Sequence, residues 1–505
     1  MPRVAVVDVA RPVRDATTLR WMLARLSAQA DAVVVVDRAR ALADAASVAD
    51  GVHVVADGDA ARDLARALEP DAVLLADDDW IGPLSDAWPA GDSARLVDDE
   101  RSWVVVRGDA LGAWLVDGDA PRASGGIVAE DALAAVEAGA PIVHRDVVLR
   151  DPLEADAEGL STATLVRELA DRGLDVDALA ASLAGEAPPR ALQTALGLVS
   201  VLSDDPVVQP TSLRVLVVAH VFYPDMLPEL AARIAGLGPH RLVVTTFGAE
   251  RGVELERGLE ALDVAGEVRV MPSNRGRDIS AFLLGCRDLL TSGEVDVVVK
   301  VHSKRSPQVG GTAGRAFKRL LLDNLLGSGG HAQRMLGLFA ESPRLGLVVP
   351  PMVHSWYGTL GRAWYTNRPR AIEVARRAGI RVPLDDDSPV APYGSMFAAR
   401  PEALAPLVEA GFDWDEFPTE GEYKDGSLAH VIERLFAPAA QERGYAVRTV
   451  LSAAEAARSH ALLEHKLDVA EASLERVVAR KVARIPWKAR RVRDRLLGRR
   501  RAGDP

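Results

Sequence analysis

Short runs of apolar residues alternate with amphipathic segments along most of this chain. The first part has four such runs, which predict strands at 4–9, 32–36, 53–55 and 72–76, with helices near 18–28 and 60–68. From residue 213 the alternation begins again and predicts strands at 215–219, 242–246, 268–271 and 295–299, with helices near 227–237 and 279–290. This pattern predicts an α/β protein whose sheets are mostly parallel and covered by helices.

A proline-containing stretch separates the two series of strands. Residues 185–211 include four prolines, which is typical of a connection between units. We therefore place a boundary near residue 205, which gives an N-terminal unit at 1–205, a second unit at 206–455 and a tail at 456–505. The similar spacing of the strands suggests that the two units are Rossmann-like copies of one architecture in tandem.

The tail is predicted to be helical and is strongly basic. Between residues 476 and 501 the only acid is Asp494, whereas Arg and Lys recur throughout and Trp487 lies among the apolar residues. A basic amphipathic helix with a Trp favours contact with an anionic membrane surface. The alternatives are a solvated tail and a helix that binds a protein partner.

Composition narrows the class of protein. The 505 residues carry a net charge of -12, which argues against nucleic acid as a partner. The single cysteine, Cys286, excludes an internal disulfide framework and a cysteine zinc site. We find neither a signal-peptide pattern nor an apolar run long enough to span a membrane. We therefore expect a cytoplasmic protein that the tail holds at the inner face of the plasma membrane.

Two polar clusters follow consecutive predicted strands of the second unit. They consist of Asn274, Arg275, Arg277 and Asp278, and of Lys300, His302, Lys304 and Ser306. Because α/β proteins bind ligands at the carboxyl ends of parallel strands, these side chains should line one pocket. Their positive charge favours a diphosphate, held without any cation in this unit. The alternatives are a helix N-cap at Asp278 and a solvated loop after the second strand.

Two later segments add candidate residues. Gly394 and Ser395 precede an apolar strand, and a glycine there lets the backbone approach a sugar closely. Asp425, His430 and Glu433 lie in or beside a predicted helix. Either carboxylate is a candidate general base for an acceptor hydroxyl, and we rank Asp425 first because loop ends face clefts. The alternative is an ordinary capped amphipathic helix.

The N-terminal unit has an acidic strand end instead. Asp77 and Asp79 follow the strand at 72–76, and their carboxylates are the oxygen ligands that Mg²⁺ or Mn²⁺ prefers. A divalent cation is therefore a candidate cofactor of this unit alone. The alternative is a solvated strand end.

Five ordered motifs of the second unit resemble those of the rhamnan synthesis protein F family. They begin at His220, Asn274, Lys300, Gly394 and Asp425. The N-terminal unit resembles that family through residues 74–84, but it has Asp77-Asp78-Asp79 where the family usually has an Asn-Asp pair.

The resemblance implies a rhamnosyltransferase with the glycosyltransferase A type of fold, and the two-domain B type is the alternative. Such an enzyme would move L-rhamnose, or a related sugar, from a nucleotide diphosphate donor such as dTDP-rhamnose. The acceptor would be a polyprenyl-linked glycan of the cell wall or surface. We expect Arg275, Arg277, Lys300, His302 and Lys304 to neutralise the diphosphate while Asp425 takes the acceptor proton. The alternatives are a polysaccharide-binding scaffold without catalysis and a sugar-phosphate polymer transferase.

Overall fold

The computed structural model describes four long segments of the chain and short elements before them. The long segments are 175–207, 211–304, 311–352 and 363–465. The shorter described pieces before residue 175 are 3–9, 23–24, 26–27, 30–37, 52–55, 58–68, 72–77, 80–81, 93–98, 101–106, 143–144, 166 and 170. No helix among these residues is long and apolar enough to cross a membrane.

The N-terminal elements form a six-stranded sheet with one described flanking helix. The elements are β1 (Arg3–Val9), β2 (Ala32–Asp37), β3 (Val52–Val55), α1 (Gly58–Leu68), β4 (Ala72–Asp77), β5 (Trp80–Ile81), β6 (Ser93–Asp98), β7 (Arg101–Val106) and β8 (Val143–His144). The strand order is β3-β2-β1-β4-β7-β6, and β5 pairs separately with β8. Strands β1 to β4 run parallel, whereas β7 is antiparallel to both of its neighbours.

The second sheet has eight strands. Its strands are β9 (Val199–Leu202), β10 (Val215–His220), β11 (Arg241–Phe247), β12 (Glu267–Met271), β13 (Val297–His302), β14 (Leu345–Val349), β15 (Phe397–Ala399) and β16 (Ala446–Ser452). The α-helices around it are α2 (Val176–Leu183), α3 (Pro189–Ala195), α4 (Leu227–Ile234), α5 (Ala249–Ala261), α6 (Arg277–Leu283), α7 (Arg287–Leu290), α8 (Gly311–Leu325), α9 (Gly329–Glu341), α10 (Arg368–Arg377), α11 (Ala405–Val408), α12 (Leu428–Glu442) and α13 (Ala453–Ala461).

Both sheets start with the same strand arrangement. The second has the order β12-β11-β10-β13-β15-β14-β16-β9, so its first four strands repeat the order of β3, β2, β1 and β4. In each sheet the fifth strand is antiparallel to the fourth. The predicted α/β class with mostly parallel sheets is confirmed.

The boundary predicted near residue 205 does not separate the two sheets. Strand β9 pairs in parallel with β16, so it belongs to the second sheet. Buried Asp177 in α2 also accepts a 2.8 Å hydrogen bond from Arg448 of β16. Pro206 therefore lies in a connection within the second unit, which already includes residue 175.

The structure differs from the sequence prediction in two further ways, both in the elements that carry the candidate site. Strand β13 runs from Val297 to His302, so Lys300 and His302 lie inside the strand rather than after it. The single helix predicted at 279–290 is two short helices, α6 and α7. The break contains Gly285, whose backbone packs so closely on Met271 that a side-chain Cβ would lie 2.1 Å from the sulfur.

The second sheet separates two hydrophobic cores. Alternate residues of β10 point to opposite faces, as a strand requires, so Val217 and Val218 join different cores. The same alternation places Lys300 and His302 on the face of Val298, beneath α6 and α12. Apolar residues thus fix the face on which the polar residues of β13 lie.

Candidate functional site

The candidate site lies where the strand order of the second sheet reverses. After β10 the chain adds β11 and β12 on one side and then β13 on the other. The crevice between β10 and β13 is therefore a topological switch point, where open α/β sheets bind ligands. Each of these strands ends in a histidine, and the register pairs His220 with His302.

A buried ionic cluster fills this crevice. It consists of Asp278, Lys300, His302 and Ser395, each at most 8% exposed. The Lys300 Nζ donates to Asp278 Oδ2 at 2.5 Å and to the Ser395 carbonyl at 2.7 Å. Ser395 Oγ donates to the same carboxylate oxygen, and His302 Nδ1 lies 3.2 Å from it. One carboxylate thus joins α6, β13 and the segment before β15.

Burial and charge set the protonation of this cluster. Burial alone would raise the pKa of Asp278, but Lys300 and His302 hold it well below its usual range. Burial lowers the pKa of His302, and Asp278 only partly offsets this effect. The carboxylate is therefore charged and the imidazole is neutral at pH 7.

His220 is a site residue that the sequence prediction did not select individually. Its Nδ1 lies 3.0 Å from Thr245 Oγ1, while its buried Nε2 has no hydrogen-bond partner among the described residues. Burial lowers its pKa to about 4, so the ring is neutral at pH 7. The sequence feature that could have identified His220 is its position at the end of an apolar strand, which it shares with His302.

One residue of the cluster and one residue beside it have left-handed backbone conformations although neither is a glycine. The φ angle is 53° at Arg277 and 55° at Ser395, and neighbouring Gly394 has a φ of 85°. Such conformations are costly for residues with a Cβ and concentrate at functional sites. A Cβ on Gly394 would lie 2.6 Å from Leu321, so this position also needs glycine for space.

The two arginines of the first polar cluster have different surroundings. Arg275 donates to the backbone carbonyls of Phe417 and Asp415 at 2.9 and 2.8 Å, and it therefore holds a loop. The Arg277 guanidinium lies 4.0 Å above the ring of Tyr423 and is partly exposed. Of the two, Arg277 is better placed to meet a ligand. Half-buried Asn274 has a side-chain oxygen without a partner among the described residues.

An aromatic stack extends from Arg277. The rings of Tyr423 and His430 lie 4.7 Å apart, so Arg277, Tyr423 and His430 form one row. His430 Nδ1 lies 3.0 Å from both Ser427 Oγ and the Lys424 carbonyl. The sequence prediction missed Tyr423, because nothing in the local pattern indicates that it packs against the turn before α6.

The candidate carboxylate Glu433 lies next to the ionic cluster. One of its oxygens accepts the Gly394 amide at 3.1 Å and the other is paired with Arg434. It also faces Lys304, which packs 4.7 Å from the ring of Phe317. Burial lowers the pKa of Lys304, and Glu433 partly offsets this effect.

Asp425 has a more open position. Its side chain is exposed, and its described contact is a 3.4 Å hydrogen bond from Asn367. This contact holds the loop before α12 against the start of α10. The structure brings Glu433 to the cluster but shows no such contact for Asp425, and the catalytic roles of both stay predictions.

Other predicted residues lie partly or wholly outside the described chain. Ser306, Asp79 and the basic tail beyond residue 465 are not described. Asp77 ends β4 and is in register with Asp8 of β1. In the second sheet, His302 of β13 is paired with His220 of β10 in the same way. Within the residues that the structure describes, no group of His, Cys, Asp or Glu side chains is arranged to hold a metal ion.

Comparisons with solved structures give weak similarity. Glucosyl-3-phosphoglycerate synthase from Mycobacterium tuberculosis, solved with Mn²⁺, UDP-glucose and glycerol 3-phosphate, is 15% identical over 47% of this chain and 70% of its own, with a TM-score of 0.24. The glycosyltransferase GlyE of Streptococcus pneumoniae is 9% identical over 61% of this chain and 87% of its own, with a TM-score of 0.18. These scores are too low for a comparison of sites.

Sequence comparisons are more informative. The protein WxcX, itself uncharacterised, from two strains of Xanthomonas campestris pv. campestris is 32% identical over 240 residues. That alignment covers 46% of this chain and 32% of WxcX, so the chain spans about a third of the length of these relatives. The sequence pattern of rhamnan synthesis protein F matches residues 134–445, well over half of the chain and all five motifs. The chain therefore belongs to the rhamnan synthesis protein F family.

Proposed function

We propose that this chain is a glycosyltransferase of the A type that uses a nucleotide diphosphate sugar. The donor would carry L-rhamnose or a related sugar, as in dTDP-rhamnose, and the acceptor would be a polyprenyl-linked glycan. Membership of the rhamnan synthesis protein F family supports this reaction class. The supporting structural observation is the buried ionic cluster at the switch point between β10 and β13.

The donor diphosphate would lie beside the cluster rather than on Lys300. Lys300 is 1% exposed and already has two partners, so its predicted contact with phosphate is replaced by a positioning role. Lys304 and Arg277 are less buried and flank the same crevice. They would neutralise the leaving group, while the ion pair between Asp278 and Lys300 would fix the backbone around it.

Binding of dTDP to purified variants tests the proposed donor site. Lys304→Gln and Arg277→Gln should each weaken dTDP binding about tenfold or more, the usual effect of losing a charge-assisted hydrogen bond. Lys318→Gln is the matched control, because Lys318 of α8 is paired with Glu229 of α4. Calorimetric titration at fixed ionic strength would measure the affinities. Unchanged affinity in both site variants would contradict the proposed donor site.

The basic tail is consistent with a polyprenyl-linked acceptor. A lipid-linked acceptor requires an enzyme at the membrane surface, and a basic amphipathic tail would supply that attachment. We accordingly propose a peripheral location at the cytoplasmic face. Sedimentation with vesicles of anionic or neutral lipid tests this, and equal binding to the two would contradict it.

A further inference from the structure

We propose that His302, oriented by Asp278, is the general base that takes the proton of the acceptor hydroxyl. This inference rests on the proposed transferase function. It assigns the proton transfer to a residue that we expected, from the sequence, to contact phosphate. The observation behind it is the pairing of a buried carboxylate with one particular ring nitrogen.

The geometry determines which nitrogen of His302 carries the proton. Nδ1 lies 3.2 Å from Asp278 Oδ2, and a charged carboxylate can only accept a hydrogen bond. Nδ1 therefore bears hydrogen, and in the neutral ring Nε2 has the lone pair. Lys300 and Ser395 hold the same carboxylate oxygen in place, so the orientation of the ring is fixed.

The other ring nitrogen of His302, Nε2, can accept a hydrogen bond from a substrate. Within the described segments, His302 Nε2 makes no hydrogen bond. This atom is not fully buried, so a substrate can reach it. A lone pair at Nε2 would repel the oxygens of a diphosphate but would accept a proton from a hydroxyl. The predicted contact between His302 and phosphate is thus less compatible with the geometry than a role as base.

Charged groups surround His302 on several sides. Asp278 on α6 favours a proton on the ring, whereas Lys300 and Lys304 from the same chain segment oppose it. His220 on β10 also faces the ring but is neutral at pH 7. Burial and the two lysines keep His302 neutral before reaction, and Asp278 stabilises the imidazolium that forms during it.

Neither of the two carboxylates that the sequence suggests as the general base has surroundings like those of His302. Both oxygens of Glu433 are engaged, one by the Gly394 amide and one by Arg434. Asp425 is exposed and bonded to Asn367, with no described contact to the cluster. His302 is the candidate that combines a defined lone pair with a partner that stabilises its charged form.

The proposed step balances without a further reactant. The acceptor oxygen forms a bond to the anomeric carbon while its proton moves to His302 Nε2. The bond between the anomeric carbon and the diphosphate oxygen breaks, and its electron pair leaves with the nucleoside diphosphate. His302 then releases the proton to water, which restores the neutral ring.

Nitrogen NMR of the histidine rings tests the protonation state without any substrate. In protein labelled at histidine, the signals lost in His302→Gln identify residue 302. At pH 7 these signals should show a neutral ring protonated at Nδ1, the less common form in solution. A ring protonated at Nε2, or an imidazolium, would overturn the proposal.

Kinetics test the catalytic role. With dTDP-L-rhamnose and a synthetic rhamnose acceptor carrying a lipid tail, His302→Gln should lower kcat about 10²–10⁴-fold, the usual contribution of a general base. Binding of dTDP should change less than about threefold, because Gln can still donate to Asp278. The control is His460→Gln, an exposed histidine on α13. The wild-type rate should fall at low pH as His302 becomes protonated, and this acid limb should disappear in His302→Gln.

Each other result counts against a distinct claim. Normal turnover in His302→Gln, with loss of turnover in Asp425→Asn or Glu433→Gln, would overturn this inference and leave the transferase function intact. Weaker dTDP binding in His302→Gln with unchanged kcat would return His302 to a role in phosphate binding. A wild-type protein that neither binds nor turns over the donor would contradict the proposed function, and this inference with it.

Discussion

Asp278 is the residue on which the candidate site depends, because three donors converge on one of its carboxylate oxygens. Lys300, Ser395 and His302 come from two other segments of the chain, so the carboxylate connects them in space. A buried charge of this kind is stable only while it remains paired. The same arrangement that maintains the site is therefore also a vulnerable point of the fold.

Replacement of Lys300 should destabilise the protein strongly. Lys300→Met leaves Asp278 charged and buried without its cation, which should lower the free energy of unfolding by about 3–5 kcal/mol. Lys318→Met removes a more exposed ion pair and should cost no more than about 1 kcal/mol. Denaturant unfolding of both variants measures the difference. Equal effects would show that the buried pair adds nothing beyond an ordinary ion pair.

Asp385 should make stability depend on pH between about 4 and 6. Burial raises its pKa from 3.8 to about 6, although the amides of Arg190 and Val390 donate to its oxygens. The folded protein therefore holds this proton more tightly than the unfolded chain does. The associated stability is fully present below pH 4 and is lost as pH rises through 6, by about 3 kcal/mol in total.

Asp385→Asn provides the comparison. The Asn side chain does not titrate, so the decrease in unfolding free energy between pH 4 and pH 7 should be smaller than in the wild type. Denaturant titrations at four pH values would measure it. The same decrease in both proteins would show that Asp385 does not titrate as described.

Several residues of the site could be predicted from sequence, and others could not. The two-residue period of a strand placed Lys300 and His302 on one face, and the structure keeps them there. The prediction treated them as residues beyond the strand because buried charges are rare. Their partner Asp278 is 22 residues away from Lys300, and no local pattern encodes which charge neutralises which.

At the scale of elements, the turn before α6 is held between the sheet and the loop that ends at Pro418. Gly276 has a φ of 74°, and its amide donates to the Pro418 carbonyl at 3.2 Å. A Cβ at this position would lie 2.4 Å from the buried ring of Phe417. The glycine is therefore required both by its backbone conformation and by a close approach.

Gly276→Ala should be more harmful than a glycine substitution that affects conformation alone. Gly293 has a similar φ of 71° but no atom within 4 Å of an added Cβ, so Gly293→Ala should cost about 1 kcal/mol. Gly276→Ala adds the displacement of Phe417 and should cost at least twice as much. Thermal unfolding of the two variants measures this, and similar melting temperatures would contradict the packing described here.

Element positions were more predictable than element ends. Strands β10 to β13 of the second sheet were predicted within a few residues because each is a short apolar run bounded by polar residues. The break between α6 and α7 was not predicted, because Gly285 is required by the close approach of Met271, which lies in strand β12. Contacts between segments, which periodicity does not report, set such breaks.

At the scale of the whole molecule, residues 175–202 are part of the second unit. Strand β9 lies at an edge of the sheet, and Arg448 pairs with Asp177 across that edge. The position of β9 was not predictable, because an edge strand of four residues with exposed Val199 and Val201 carries little sequence signal. Because β9 was not predicted, the proline-containing stretch after it was interpreted as a boundary between two units.

A truncation series tests this extent of the second unit. A fragment of residues 206–465 lacks β9 and leaves β16 with an unpaired edge, so it should be insoluble or unfolded. A fragment of residues 175–465 keeps that pairing and should show a cooperative unfolding transition. Far-UV circular dichroism and solubility compare the two. A stable, cooperative 206–465 fragment would restore the boundary near residue 205.

If sugar transfer takes place in the crevice between β10 and β13, the 505-residue protein should turn over a nucleotide sugar. A panel of nucleotide sugars would be incubated with the lipid-tailed rhamnose acceptor, with and without EDTA, while nucleoside diphosphate release is measured. We predict release that depends on the acceptor, is highest with dTDP-L-rhamnose and persists in EDTA. Absence of binding and turnover for every donor would contradict sugar transfer at this crevice and favour a scaffold that binds polysaccharide without catalysis.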